Sequence, residues 1–189
     1  MNIQEERQYI LAENNTAQQH LIDLLETLTP SKTVDLNITE ALSGKLDFSI
    51  LDSMGFKKIR SIHLGKGQIT DIDHIPKTVS KLFCENNILI SLENLPSTIL
   101  EIHCSHNHIS QIELTNLSAL VKLNCTDNEL AELENIPETI EEIYCDNNYI
   151  TQLDLDNLVN LKVLHCSNNK LMILRNLPAQ LEDLKMDSE

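Results

Sequence analysis

Tryptophan is absent from this sequence, and only three phenylalanines and three tyrosines occur in 189 residues. A single core filled by bulky rings is therefore excluded, and the 41% of hydrophobic residues must be mostly small branched aliphatics. Glycine (4) and proline (5) are scarce, which excludes a low-complexity linker. No apolar run reaches the ~18 residues that a membrane-spanning helix needs. Basic residues are short as well. Lys and Arg number 14 against 29 Asp and Glu, a formal net charge of −15 with a pI of about 4.7. Phosphate backbones and anionic bilayers attract clustered Lys and Arg, so nucleic acid and membrane are disfavoured as partners. The charge leaves two readings open: steering of a basic protein partner, or plain solubility of an extended surface.

The opening stretch MNIQEERQYILAENN is polar and acidic where an export signal would be basic and then apolar. Five cysteines, an odd number without such a signal, point to an intracellular, reducing compartment such as the cytoplasm. Catalytic signatures are missing too. There is no Gly-rich phosphate loop, no Gly-x-Ser-x-Gly and no His-Glu-x-x-His, so an enzyme is not expected and no cofactor is implied.

What the sequence does have is a period. Cys84, Cys104, Cys125, Cys145 and Cys166 fall at spacings of 20, 21, 20 and 21. Three residues after each stands an asparagine: Asn87, Asn107, Asn128, Asn148 and Asn169. Aliphatics precede each cysteine by two (Leu82, Ile102, Leu123, Ile143, Leu164) and follow each asparagine by two (Leu89, Ile109, Leu130, Ile150, Leu171). Units of the form L-x-x-L-x-C-x-x-N-x-L-x-x-L-x-x-L start at Ile59, Val79, Ile99, Leu120, Ile140, Leu161 and, incompletely, Leu181. The Ile59 unit is degenerate, with Leu64 in the cysteine slot and Gly67 in the asparagine slot; LDFSILDSMGF (46–56) reads as a further degenerate unit. Ile75-Pro76, Leu95-Pro96, Ile136-Pro137 and Leu177-Pro178 mark one kind of unit. Ile112-x-Leu114-x-x-Leu117 and Leu153-x-Leu155-x-x-Leu158 mark the other.

This unit resembles the leucine-rich repeat over roughly residues 59–189. The Pro-bearing form is similar to the short Leu-Pro repeats of secreted bacterial effectors, and the cysteine slot to repeat proteins of bacteria and of large viruses of amoebae. The resemblance implies a leucine-rich repeat solenoid of the α/β class, with short parallel strands on the concave face and a mostly non-helical convex side. A ubiquitin-ligase domain often follows Leu-Pro repeats; that activity is not expected here, where the residues run in repeats to Glu189.

The residues give the same picture independently. L-x-x-L-x-C alternates like a strand, with Leu164 and Cys166 inward and Val163, His165 and Ser167 outward. The asparagine amide is expected to satisfy backbone groups in the turn, and proline to begin the convex side in extended form. Because a repeat cannot bury its own faces, the ends need caps. Residues 1–44 are expected to hold an N-terminal helical cap and first strand, and residues 45–189 the repeats. Ile3, Ile10 and Leu11 form one helical set and Leu21, Ile22, Leu24, Leu25 and Leu28 another, broken at Asn14-Asn15-Thr16 and ended by Thr29-Pro30-Ser31. TVDLNI (33–38) then alternates as the first strand. The C-terminal LEDLKMDSE holds a last strand and no cap, and its charges either blunt the edge or leave it to dock another copy.

Register separates framework from function. The cysteines, lacking close pairs, read as buried core rather than zinc ligands. His103-x-x-His106-x-His108 is the densest histidine cluster, a metal site or a solvated, partner-contacting patch. The outward row His63, Phe83, His103, Asn124, Tyr144, His165 and Lys185 lines the expected concave surface, flanked by Glu85, Glu101, Asp127, Glu142, Asp146 and Asp183. Aromatics among acids suit a protein-binding face, so the expected contacts are His63, Phe83, Glu85, Glu101, His103, Asp127, Glu142, Tyr144, Asp146 and His165. The expected function is a non-catalytic protein-protein interaction module. The alternative is a structural component of a larger particle, such as a minor virion protein, or self-association through the C-terminal edge.

Overall fold

The computed structural model describes residues 16–187. Its backbone is a solenoid in which each coil contributes one short strand to a parallel sheet of eight. With strands numbered in chain order, these are β1 (Asp35–Ile38), β3 (Ser61–Leu64), β5 (Lys81–Phe83), β7 (Glu101–His103), β9 (Lys122–Asn124), β10 (Glu142–Tyr144), β12 (Val163–His165) and β14 (Asp183–Lys185). Their register stacks Leu36, Ile62, Leu82, Ile102, Leu123, Ile143, Leu164 and Leu184 in one column. From β3 onward each coil advances by 20 or 21 residues, the period of the sequence signature.

The columns behind the strands are apolar because their inward strand positions hold aliphatics or thiols. Ile59, Val79, Ile99, Leu120, Ile140 and Leu161 are wholly buried, as are Leu82, Ile102, Leu123, Ile143 and Leu164. Each such side chain contributes about 1.5–3 kcal/mol relative to exposure. One apolar cluster runs from Ala17 to Cys166. It passes without a break through β2 (Ser43–Asp47), the strand that contains the 44/45 division expected from the sequence.

The first coil is longer, since Asp35 of β1 pairs with Ser61. Residues 46–56 are not a separate unit: they span the end of β2 and a single helical turn, α2 (Ile50–Ser53), which form the convex half of the coil opened by β1. Leu46, Phe48, Leu51 and Phe56 are buried there, so two of the three phenylalanines close the N-terminal end. Gly67 has a steric cause. A Cβ at this position would lie 2.5 Å from the Leu42 carbonyl oxygen, so the asparagine of later units has no room.

Helix α1 (Thr16–Thr27) caps that end. Ala17, Leu21 and Leu25, four residues apart, form its buried stripe, which packs on β2. The Gln18 amide latches the two elements, its Nε2 donating to the Asp47 carbonyl (3.0 Å) and its Oε1 accepting from the Asp47 N–H (2.7 Å). The chain turns after α1 where Lys32 N–H meets the Thr29 carbonyl, as Thr29-Pro30-Ser31 foretold. Ile3, Ile10, Leu11 and the Asn14-Asn15 break lie outside the described residues.

The convex side carries short paired strands, β2 with β4 (Gln68–Asp73), β6 (Ser91–Leu92) with β8 (Gln111–Ile112), and β11 (Gln152–Asp154) with β13 (Ile173–Arg175). Proline does not open an extended segment. Pro76, Pro96, Pro137 and Pro178 each accept from the residue three ahead (2.9–3.2 Å), forming the tight turn that returns the chain to the sheet. In the longer units two such turns follow in series, Leu114–Leu117–Leu120 and Leu155–Leu158–Leu161, which accommodates the extra residue. At the other end Leu184 is 39% and Met186 46% exposed, whereas Leu164 and Cys166 one coil earlier are buried.

Candidate functional site

The asparagines tie neighbouring coils together in the turn that follows each concave strand. Each Oδ1 accepts a backbone N–H from the preceding coil at 2.9–3.1 Å: Ile69, Leu89, Ile109, Leu130 and Ile150 donate to Asn87, Asn107, Asn128, Asn148 and Asn169. The Nδ2 of Asn107 donates to the carbonyls of Cys104 in its own coil and Cys84 in the one before, both at 3.0 Å, and Asn128 and Asn148 repeat the pattern. The amide therefore ties coil to coil as well as closing its own turn. The residue before each asparagine takes the left-handed conformation: Asn86, His106, Asp127, Asn147 and Asn168 all have φ of 53–58°. Asn and Asp tolerate that region because their short side chains bond locally.

The cysteines beneath are free and buried. Burial pushes every thiol up: Cys84, Cys104, Cys125 and Cys145 far above the usual range, and Cys166, in the last coil to bury its cysteine, to about 11. Thiolate is the reactive and metal-binding form, so these groups are held inert. Among the described residues no group of His, Cys, Asp or Glu is arranged to hold a metal ion.

The outward row is assembled as the register required. Asn37, His63, Phe83, His103, Asn124, Tyr144, His165 and Lys185 are cross-strand neighbours in sequence order. Their rings engage one another. Phe83 is stacked between His63 (centroids 4.3 Å, planes 8° apart) and His103 (4.7 Å, 18°), so its faces are covered and only edges meet solvent. Asn124 interrupts the row. Beyond it Tyr144 meets His165 edge-on at 4.8 Å, with the Lys122 ammonium 5.2 Å from the Tyr144 ring centre.

The row one step earlier on the same face carries the charge. Lys81 pairs with Glu101 at 2.7 Å and Lys122 with Glu142 at 2.6 Å. The bonded Lys81 ammonium holds the Glu101 carboxyl below the usual range, and Lys122 does the same to Glu142. Tyr144 Oη donates to Glu142 at 3.0 Å; burial and that bond raise its phenol. His165 reaches Asp183 at 2.9 Å, while His103 lies 3.6 Å from Glu101, an ion-pair distance that leaves its Nε2 without a hydrogen bond. At the head of the row Ser61 donates to Asp35 (2.6 Å), with His63 Nε2 3.2 Å from its Oγ. Serine given to a carboxylate is not poised as a nucleophile, which needs the base on its own proton.

Nine of the ten expected contacts lie on this surface. Glu85 and Asp146 share the row after the cysteines, and Asp146 accepts the Ser167 N–H at 2.7 Å. Asp127 does not join them. Its φ of 54° places it in the turn, where it pairs with His106 at 3.3 Å. The histidine cluster disperses for the same reason: His103 lies on the strand, His106 meets Asp127, and His108 meets Glu129 at 2.9 Å. Lys81 and Lys122 were missed, although both stand two residues before the outward row in K-L-F and K-L-N.

A parallel sheet of stacked coils with an asparagine and aliphatic column in every turn defines a leucine-rich repeat solenoid. Solved structures bear this out. The chain superposes on the leucine-rich repeat domain of a Shigella effector with a TM-score of 0.66 at 17% identity, covering 98% of this chain and 84% of that one. YopM, described as a leucine-rich effector protein from Yersinia pestis, matches with a TM-score of 0.62 at 28% identity (69% of this chain, 36% of that). The functional domain of InlJ from Listeria monocytogenes, which includes a cysteine ladder, matches at 0.64 and 25% identity (76% and 32%). The chain thus spans only about a third of the YopM and InlJ structures. No protein-family model and no curated protein matches the sequence.

Proposed function

We propose that this chain is a non-catalytic protein-interaction module that receives a partner protein on its concave sheet. The observation that carries the reading is the outward row, where the ring groups His63–Phe83–His103 and Tyr144–His165 lie beside the Lys81–Glu101 and Lys122–Glu142 pairs, on coils tied together from Asn87 to Asn169 by the asparagine ladder. A surface ordered before binding loses little conformational entropy on docking, which favours recognition. Effector proteins among the structural neighbours support an interaction role. Basic groups of the partner would meet Glu85 and Asp146. The proposal includes a reducing, intracellular setting, where five unpaired thiols persist.

A photo-crosslinking residue at Asn124, the gap in the aromatic row, tests it in the native source. The expected result is one covalent adduct formed at position 124 and absent when the same group stands at the exposed convex Val159. Equal capture from both positions would remove the concave-face assignment.

A further inference from the structure

The convex strands are interrupted in the middle. β6 pairs with β8 and β11 with β13, but segment 132–136 between them joins neither side. Among the described residues it makes no backbone hydrogen bond, and the nearest tie is Thr151 N–H to the Ala131 carbonyl at 3.4 Å. The Thr151 carbonyl accepts from Met172 and the Leu155 N–H donates to Arg175, both toward β13, so by the alternation of a parallel strand the backbone groups of Gln152 and Asp154 face the interruption. A cleft of about 490 Å³ opens along that edge, with Leu153, Ile136 and Leu158 in its wall, and a second of about 360 Å³ lies toward β8.

A run of like charge crosses the interruption. The repeat register aligns Leu92, Ile112, Leu133, Leu153 and Leu174, so the next residues form a column of Glu93, Glu113, Glu134, Asp154 and Arg175. Like charges on neighbouring strands repel. Here four carboxylates follow one another before the single cation, whereas Lys81 and Lys122 relieve the concave acids. Arg175 is in register with Asp154. Glu132 and Glu134 have no ion-pair or hydrogen-bond partner among the described residues.

We propose that this cleft is a second docking surface, independent of the concave face, for a short extended basic segment of a partner protein. Its backbone pairs with the open edge of β11, and its Lys or Arg side chains neutralise Glu132 and Glu134. Strand addition provides the hydrogen bonds that 132–136 fails to make, and the charge column selects the sign of the peptide.

The test uses the full chain and a fluorescein-labelled hexapeptide of alternating lysine and valine, followed by anisotropy and by hydrogen exchange. Binding should slow exchange at residues 150–156. Replacing both glutamates (Glu132→Gln, Glu134→Gln) should weaken it by about ten-fold or more while leaving the melting temperature unchanged or higher. A peptide of equal charge with alternate backbone amides methylated should lose a comparable factor. The concave pair Glu85→Gln and Asp146→Gln should bind the peptide normally, which separates failure here from failure of the concave reading. Several results would overturn the proposal: no binding, equal binding to the glutamine variant, equal binding of the methylated peptide, or protection by calcium chloride alone.

Discussion

At the residue scale the repeat signature resolves into two physical duties. Each asparagine bonds backbone groups of two coils, so removing one orphans a buried N–H and thins the donors shared by two carbonyls. Asn128→Ala leaves the Ile109 N–H unpaired and takes one of two asparagine donors from the carbonyls of Cys104 and Cys125, which keep Asn107 and Asn148. It should destabilise the protein by roughly 1–3 kcal/mol in urea unfolding, the cost of one unsatisfied buried group. The cysteines make stability depend on alkaline pH. Burial raises their folded-state pKa above the unfolded value of 9.0, so the folded state retains protons that the unfolded state releases. Their contribution is complete below pH 9 and is lost as pH rises beyond it, at up to about 1.4 kcal/mol per pH unit for each thiol. Cys104→Ala should flatten that decline between pH 9 and 10.5 in denaturant titrations, and an unchanged slope would place the titration elsewhere.

At the scale of elements, the concave strands differ from the sequence expectation in one consequential way. Strand alternation alone makes Phe83 an exposed anchor that could be removed without structural cost. In the fold it is the centre of a three-ring stack. Phe83→Ala should therefore lower stability by about 1–2 kcal/mol, from lost stacking and apolar contact, measurable as a shifted urea midpoint at constant slope. Helix α1 carries a second element-level prediction. Gln18→Ala removes both bonds to the Asp47 backbone, leaving the cap held by Ala17, Leu21 and Leu25 alone. Hydrogen exchange should then accelerate in residues 43–48 and hardly at all beyond β5, because a solenoid transmits stability only between neighbours.

At the scale of the whole molecule the net charge of −15, spread over an extended body, outweighs any single ion pair. Surface repulsion of this kind is screened within a Debye length, about 10 Å at 0.1 M salt and 3 Å at 1 M. The melting temperature should thus rise from 20 mM to 0.5 M sodium chloride, opposite to the trend of a protein stabilised chiefly by surface ion pairs. A fall would show that the Lys81–Glu101 and Lys122–Glu142 pairs together outweigh the repulsion of the convex column.

The sequence by itself determined the coil, because a 20/21-residue return of aliphatic, cysteine and asparagine admits one way to bury every copy. It also determined which residues face outward, since strand alternation is a local property that leaves His63, Phe83, His103, Tyr144 and His165 on one side. Partnership between coils was beyond its reach. Asp127 falls in the turn because the backbone there is left-handed, Phe83 is covered because coils stack its neighbours upon it, and Glu101 is neutralised by a lysine twenty residues away. The run of like charge across 132–136 has the same origin. Each glutamate is ordinary in its own unit, and repulsion arises only when successive coils bring four carboxylates into one column. Spacing along the chain specifies the framework, whereas the free surface is decided by contacts across it.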